Sequence, residues 1–385
     1  MGIESPGGRI ALLLQRLGDG GVERCFLNLA RGFAAHGIDA DIYLHEIAAE
    51  GLLETSPGAR LVRLLGRSPT ERRTELANAL RESETDTVLT AKEEDFRLIS
   101  AVGRGLEQAP RSVMVASLDY TGQLLGRRAG ALRRWQRYRQ VRKLFSPADQ
   151  VFCVSEGVAQ DMARILRRPL SDLPVLPNPV VTPELETLSH APVQHRWLEP
   201  GQPPLILGVG RLSRIKNFAL LLRAFAKARR EMVMHLMILG EGKQRQELQG
   251  LADRLGITRD VAFPGFQSNP YPYMRGADLF VLSSSWEGFG NVLVEAMACE
   301  TPAVSTDCPS GPSQILQGGR FGKLVPVGDD DALASAILTS LRQPPSAELL
   351  TQAVLPYTLE NSVLAYLRAR GFAPTPGDLA ANHQL

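Results

Sequence analysis

The chain has 385 residues, 43 Lys+Arg against 41 Asp+Glu, and 44% hydrophobic residues. At about 100–200 residues per domain this suggests two domains, and the composition excludes a disordered tail protein, a collagen-like fibre and a polybasic nucleic-acid binder. A net charge of +2 gives no global field to draw in polyanions, so no nucleic-acid partner is expected.

No apolar run approaches the about 18 residues of a spanning helix, and the run at 10–14 is too short for a signal peptide. Pro6 stands where N-myristoylation wants Ser or Thr. Cys25, Cys153, Cys299 and Cys308 lie far apart with no CxxC pair. They read as reduced packing residues, which places the chain in the cytoplasm.

In chain order, short β-type runs are predicted at 10–14, 41–44, 87–90, 112–116 and 151–155. Between the first two lies an amphipathic helix over 22–36, with Val22, Phe26, Leu29, Ala30 and Phe33 at helical spacing. A Pro-rich stretch over 169–204 marks the domain boundary. The alternation then restarts, with strands at 205–209, 235–239, 261–263, 279–282, 303–306 and 323–327. Helices are predicted at 218–230, 245–255, 292–299 and 331–341. Strands interleaved with helices imply parallel sheets covered on both faces. The expected division is 1–181, 182–355, a helix over 356–371 packing back toward the first domain, and a mobile tail over 372–385.

Three loops in the second half carry chemistry. Gly208-Val209-Gly210-Arg211-Leu212-Ser213-Arg214-Ile215-Lys216-Asn217 joins a strand to a helix. Asn217 reads as its N-cap, and Lys216 stands where the helix dipole favours anions. Two cations there suit a diphosphate, although solvated loop charges are an equal alternative. Next comes Ser283-Ser284-Ser285-Trp286-Glu287-Gly288-Phe289-Gly290-Asn291-Val292-Leu293-Val294-Glu295. Its backbone N–H groups can cradle phosphate or sugar oxygens, and a carboxylate accepts two vicinal hydroxyls. Glu295 sits among apolar residues, which argues against a plain surface charge. The third loop is Cys308-Pro309-Ser310-Gly311-Pro312. All three follow strands, and ligands of open α/β sheets bind at strand carboxyl ends.

These stretches, with LMILGEGKQRQEL, VAFPGF and FGKLVPVGD in matching order, resemble the retaining glycosyltransferases of family 4 (glycosyl transferases group 1). The glycine loop Leu17-Gly18-Asp19-Gly20-Gly21-Val22-Glu23-Arg24 and Val154-Ser155-Glu156-Gly157-Val158 extend the resemblance into the first half, weakly over 45–110. The resemblance implies the GT-B fold, two doubly wound Rossmann-like α/β domains facing a cleft. It implies transfer from a nucleotide-sugar, a UDP-sugar by family frequency, to a glycan or lipid-linked saccharide acceptor of a cell envelope.

Carried over by residue, Arg211 and Lys216 would bind the donor diphosphate, Glu287 the sugar hydroxyls and Glu295 the ribose hydroxyls. Backbone groups of Gly210, Gly288, Phe289, Gly290, Asn291, Val292 and Leu293 would line sugar and phosphate, and Phe266, with its loop, the base. Gly20 and Gly21 would close over the diphosphate. No cofactor and no metal are implied beyond the nucleotide-sugar co-substrate. The departing phosphate would itself take the acceptor proton.

One departure stands out: the segment after 111–116 lacks the His many relatives carry. Asp119 either keeps part of that polar role or caps the loop. A sugar-nucleotide epimerase on the same fold and a non-catalytic nucleotide-sugar-binding protein remain as alternatives. Asp39-Ala40-Asp41 reads as strand-edge residues rather than a metal motif, and Asp329-Asp330-Asp331 as a helix N-terminus. Finally, Arg127 to Lys143 interleaves Leu132, Trp135, Tyr138 and Val141 with arginines. It is either an interfacial helix for an anionic membrane, peripheral at its cytoplasmic face, or a helix packed on the sheet with solvated arginines.

Overall fold

The structure, a computed structural model, describes residues 9–18, 20–47, 60–125 and 130–370. Asp19, Arg127 and the tail over 372–385 lie outside the described residues. The chain forms two units, 1–179 together with 358–385, and 180–357.

The first unit is built on a parallel six-stranded sheet ordered β3-β2-β1-β4-β5-β6. Its strands are β1 (Arg9–Leu17), β2 (Ala40–Ile47), β3 (Arg60–Arg63), β4 (Thr85–Thr90), β5 (Arg111–Ala116) and β6 (Gln150–Cys153). β1, central and fully buried over Ile10 to Leu14, pairs with β2 and β4. β3 is absent from the sequence expectations. It is an edge strand with Leu61 exposed, and Arg60 reaches across to bind Asp41 bidentately at 2.8 and 2.7 Å. Asp39 holds Arg9 at 2.8 Å. The Asp39/Asp41 pair is therefore spent on strand-edge arginines.

The helix Pro69–Glu82 begins with a complete capping box, Ser68 accepting from Glu71 N while Glu71 accepts from Ser68 N. The helix Leu359–Arg370 belongs to the first unit, where its Val363, Tyr366 and Leu367 are buried.

The second unit repeats the plan, with order β12-β11-β10-β7-β8-β9. Here the strands are β7 (Leu205–Val209), β8 (His235–Leu239), β9 (Val261–Gly265), β10 (Leu279–Leu282), β11 (Ala303–Thr306) and β12 (Lys323–Val325). The helix Phe218–Ala228 lays Phe218, Leu221, Leu222 and Phe225 into the core beside Leu333 and Ile337 of the helix Asp330–Arg342. That second helix starts where the aspartates predicted it. Asp329 accepts from Ala332 N at 2.8 Å, and Asp330 binds Arg223 and Lys227 at 3.1 Å each. All four cysteines are buried and free, and burial pushes the thiols of Cys153, Cys299 and Cys308 up to about 12. Among the described residues no helix is long and apolar enough to cross a membrane.

Candidate active site

In each sheet the strand order reverses beside the unit's first strand, between β1 and β4 and between β7 and β10. That switch point is where an open α/β sheet opens a crevice at its carboxyl edge. The same device stands at both: a lysine and a glutamate paired across the switch.

In the second unit the pair is Lys216, after β7, and Glu287, after β10, with Nζ to Oε1 at 2.6 Å. Side-chain exposures of 20% and 11% make it largely shielded. Ser284 donates its hydroxyl to the same Oε1 at 2.5 Å, and Ser283 donates to the carbonyl of Lys216 at 2.9 Å. Ser285 N donates to Ile215 O at 2.8 Å, Thr306 Oγ1 to Ser284 O at 2.6 Å, and Glu287 N to Pro309 O at 3.3 Å. The loops after β7, β10 and β11 are thus knitted into one surface. Two glycines make this possible. At Gly311 (φ +105°) a Cβ would land on the carbonyl oxygen of Phe289, and at Gly240 (φ +131°) on that of Gly210.

The residues singled out from the sequence fall out differently. Lys216 and Glu287 are brought together. Arg211 lies on the same loop, exposed, with no ion-pair partner among the described residues. Glu295 is buried on the first turns of the helix Asn291–Ala298 and has a polar partner. Gly210 (φ +151°) lies against the methylenes of Lys216, so its missing side chain gives the lysine room to lie flat.

Gly290 (φ +106°) opens the helix, with Gly288, Asn291 and Val292 partly exposed beside it. Phe289 and Leu293 offer backbone only, because their side chains are buried, Phe289 edge-on to Tyr357 at 5.0 Å. Phe266 is 54% exposed on the loop after β9. Asn217 occupies the cap position in the left-handed region (φ +48°) and makes no side-chain cap bond. The expected cap position is therefore borne out without the side-chain bond, in a backbone conformation that asparagine tolerates.

In the first unit the pair is Lys92, after β4, and Glu23, on the first turn of the helix Gly21–Ala35, at 2.7 Å. Lys92 also donates to Arg16 O at 3.0 Å. Gly20 packs directly on the Glu23 carboxylate, where any Cβ would collide; Gly21 opens the helix. Beside them Asp95 is wholly buried. Its Oδ1 accepts from Gln15 N at 2.9 Å, its Oδ2 has no partner, and burial pushes the carboxyl up to about 7. Glu23, Lys92 and Asp95 are not among the residues expected from the sequence. Glu23 lies inside the glycine loop 17–24, but its partner is 69 residues away.

Asp119 caps its loop. It is buried, and its Oδ1 accepts from Gly122 N at 2.8 Å at the start of the helix Tyr120–Leu125. Burial and the neighbouring Asp161 carboxylate raise its carboxyl above the usual range. Asp161 accepts from Thr121 N at 3.0 Å and from the Thr121 hydroxyl, which also meets Tyr138 OH at 3.0 Å. Among the described residues no three His, Cys, Asp or Glu side chains gather as a metal site.

The basic segment forms the helix Ala131–Phe145. Val141, Leu144 and Phe145 pack inward, whereas Leu132 and Trp135 are 69% and 56% exposed with Arg139 over the Trp135 ring. Its C-terminal half is a packed helix and its N-terminal half presents apolar side chains to solvent.

Known proteins share this architecture. The profile of glycosyl transferases group 1 matches residues 193–354, and that of glycosyltransferase family 4 matches 19–184. The chain is 33% identical over 198 residues to the N-acetylgalactosamine-N,N'-diacetylbacillosaminyl-diphospho-undecaprenol 4-alpha-N-acetylgalactosaminyltransferase of Campylobacter jejuni, 51% of this chain and 52% of that one. Against the lipopolysaccharide core biosynthesis glycosyltransferase LpsE of Rhizobium meliloti it is 26% identical, over 83% and 85% of the two chains. The match thus spans about half of the first relative and most of the second. The solved structure of Anabaena HepE in complex with UDP and glucose superposes with a TM-score of 0.76 at 18% identity, over 94% and 99% of the two chains. Two profiles in tandem, on two sheets of matching strand order, identify the chain as a member of the family 4 glycosyltransferases with the GT-B fold.

Proposed function

We propose that the chain is a retaining glycosyltransferase that moves a sugar from a UDP-sugar to a saccharide or lipid-linked saccharide acceptor of a cell envelope. The observation that carries the reading is the Lys216–Glu287 pair at the switch point of the second unit, with Arg211 exposed on the same loop. Relatives whose names specify a diphospho-undecaprenol acceptor and lipopolysaccharide core support the acceptor class, and a neighbour holding UDP and glucose supports the donor.

In this reading Lys216 turns from Glu287 to the donor diphosphate, and Arg211 joins it. Their charges stabilise the negative charge that grows on the leaving group, the preorganised electrostatic effect that dominates many such sites. Glu287, released from its lysine, accepts donor-sugar hydroxyls, and Glu295 accepts those of the ribose. The departing phosphate takes the acceptor proton on the same face. That retains the anomeric configuration without a protein nucleophile, and no step is assigned to a metal ion. The exposed Leu132 and Trp135, flanked by Arg133, Arg134 and Arg139, are the part of the first unit that meets an anionic membrane surface.

The test is a panel of UDP-, GDP- and ADP-sugars, with and without EDTA, with the product anomer read by NMR. Transfer from a UDP-sugar with retention and no chelator sensitivity is expected. Epimerised donor, binding without turnover, or an inverted product would overturn the reading. Co-sedimentation with phosphatidylglycerol against phosphatidylcholine vesicles tests the membrane surface, and equal binding to both removes it.

A further inference from the structure

On one helical face of the first unit, the helices Pro69–Glu82, Glu93–Gly103 and Ala131–Phe145 surround an open cavity of about 660 Å³. Five cations line it: Arg73, Arg97, Arg104, Arg137 and Lys143. The one lining carboxylate is Glu93, which lies 3.8 Å from Arg97. Arg73, Arg104, Arg137 and Lys143 have no ion-pair partner among the described residues. Like charges drawn from three separate helices onto one cavity repel one another, and nothing in the fold's hydrogen bonding requires them there. Ser100, between them, has a buried hydroxyl with no partner, and buried polar atoms are otherwise paired. Phe96, Val141 and Leu144 form an apolar wall alongside.

We propose that this cavity is a binding site for a phosphate ester carrying at least two negative charges, of the diphosphate class. The arginines supply forked donors to the phosphate oxygens, Ser100 adds a hydroxyl, and the apolar wall takes the organic group. The lining residues all belong to the first unit, Lys216 and Glu287 to the second, and the inference does not rest on the transferase reading.

The same phosphate chemistry is carried by a soluble diphosphate and by a lipid head group, so the experiment has two arms. In one, inorganic pyrophosphate is titrated calorimetrically into the full chain. In the other, binding to phosphatidic acid vesicles is measured against phosphatidylcholine vesicles. Both arms compare the parent chain, Arg73→Ala/Arg104→Ala and the equal-charge control Arg63→Ala/Arg67→Ala, all three in a Lys216→Ala background that removes the donor-diphosphate cation of the second unit.

All four arginines are exposed, so the variants keep the core intact, and a thermal melt verifies it. Loss of two charge-assisted contacts is expected to weaken binding about ten-fold or more in the cavity variant alone. Loss in the pyrophosphate arm assigns a soluble diphosphate, and loss in the vesicle arm assigns a lipid head group. If neither arm responds to the cavity variant, or if the control weakens binding as much, the site is overturned.

Discussion

Replacing Lys216 by Met removes the ammonium while keeping the methylene stem that lies on Gly210. The lost contact is an Nζ to Oε1 pair at 2.6 Å, with 20% and 11% of the two side chains exposed. Breaking a fully buried pair costs about 3–5 kcal/mol. Here the partial exposure and the surviving Ser284 hydroxyl on the same oxygen reduce the cost to about 2 kcal/mol. In a unit of this size that lowers the melting temperature by roughly 4–8 °C. Glu287→Gln added to Lys216→Met leaves no buried charge behind, so stability returns to within about 0.5 kcal/mol of wild type. Transfer should not return. Removing a donor aimed at developing charge costs about 10²–10³ in rate, and the double variant lacks the same cation. Melting curves and a donor-turnover assay on the four members of the cycle check both halves. If the single variant melts like wild type, the pair has no structural weight. If the double variant regains turnover, Lys216 acts only by holding Glu287, and the electrostatic argument fails.

Gly311→Ala forces a side chain onto the carbonyl of Phe289 at φ +105°, and should lower the stability of the second unit by about 3 kcal/mol or more, read by circular dichroism. Asp95 is held protonated in the fold to about pH 7, above the ordinary aspartate value near 4. The folded chain therefore binds more protons than the unfolded one between those values, and stability falls as pH rises through that window. Asp95→Asn should flatten this slope by up to about 3–4 kcal/mol, measured by urea melts at pH 4.5 and 7.5; parallel slopes would contradict it. The four thiols should resist a thiol reagent at pH 8 and react together on unfolding, because all are buried.

Much of the fold was readable because parallel sheets bury their strands on both faces, leaving apolar runs such as 205–209 and 279–282 that need no further context. β3 was not readable: Arg60–Arg63 is an edge strand whose stability comes from pairing with β2 and from Arg60 on Asp41, which no local pattern announces. The helix Pro69–Glu82 did carry a signal, the Ser68-to-Glu71 capping box, hidden by its weak apolar stripe. The candidate site divides the same way. Its glycines and charges were visible as residue types in loops, but their pairing was not. Lys216 and Glu287 are 71 residues apart, and Lys92 lay in a stretch with little motif content. Asn217 shows the limit of composition at a helix start: the cap position was right, but the left-handed backbone leaves the side chain without a cap bond.

The helix Leu359–Arg370 closes the first unit from the far end of the chain, with Tyr366 edge-on to Phe152 and Val363 filling the space left by Gly32. During synthesis residues 180–357 leave the ribosome entire, whereas the unit begun first still lacks one wall of its interior. Order of translation and order of completion are therefore reversed: the later-made unit can finish while the earlier one waits for the helix Leu359–Arg370. A premature stop just after Tyr357, or early in that helix, would release a chain with an intact second unit and an open first one. Such a product would retain the Lys216–Glu287 region and yet be a target for proteases.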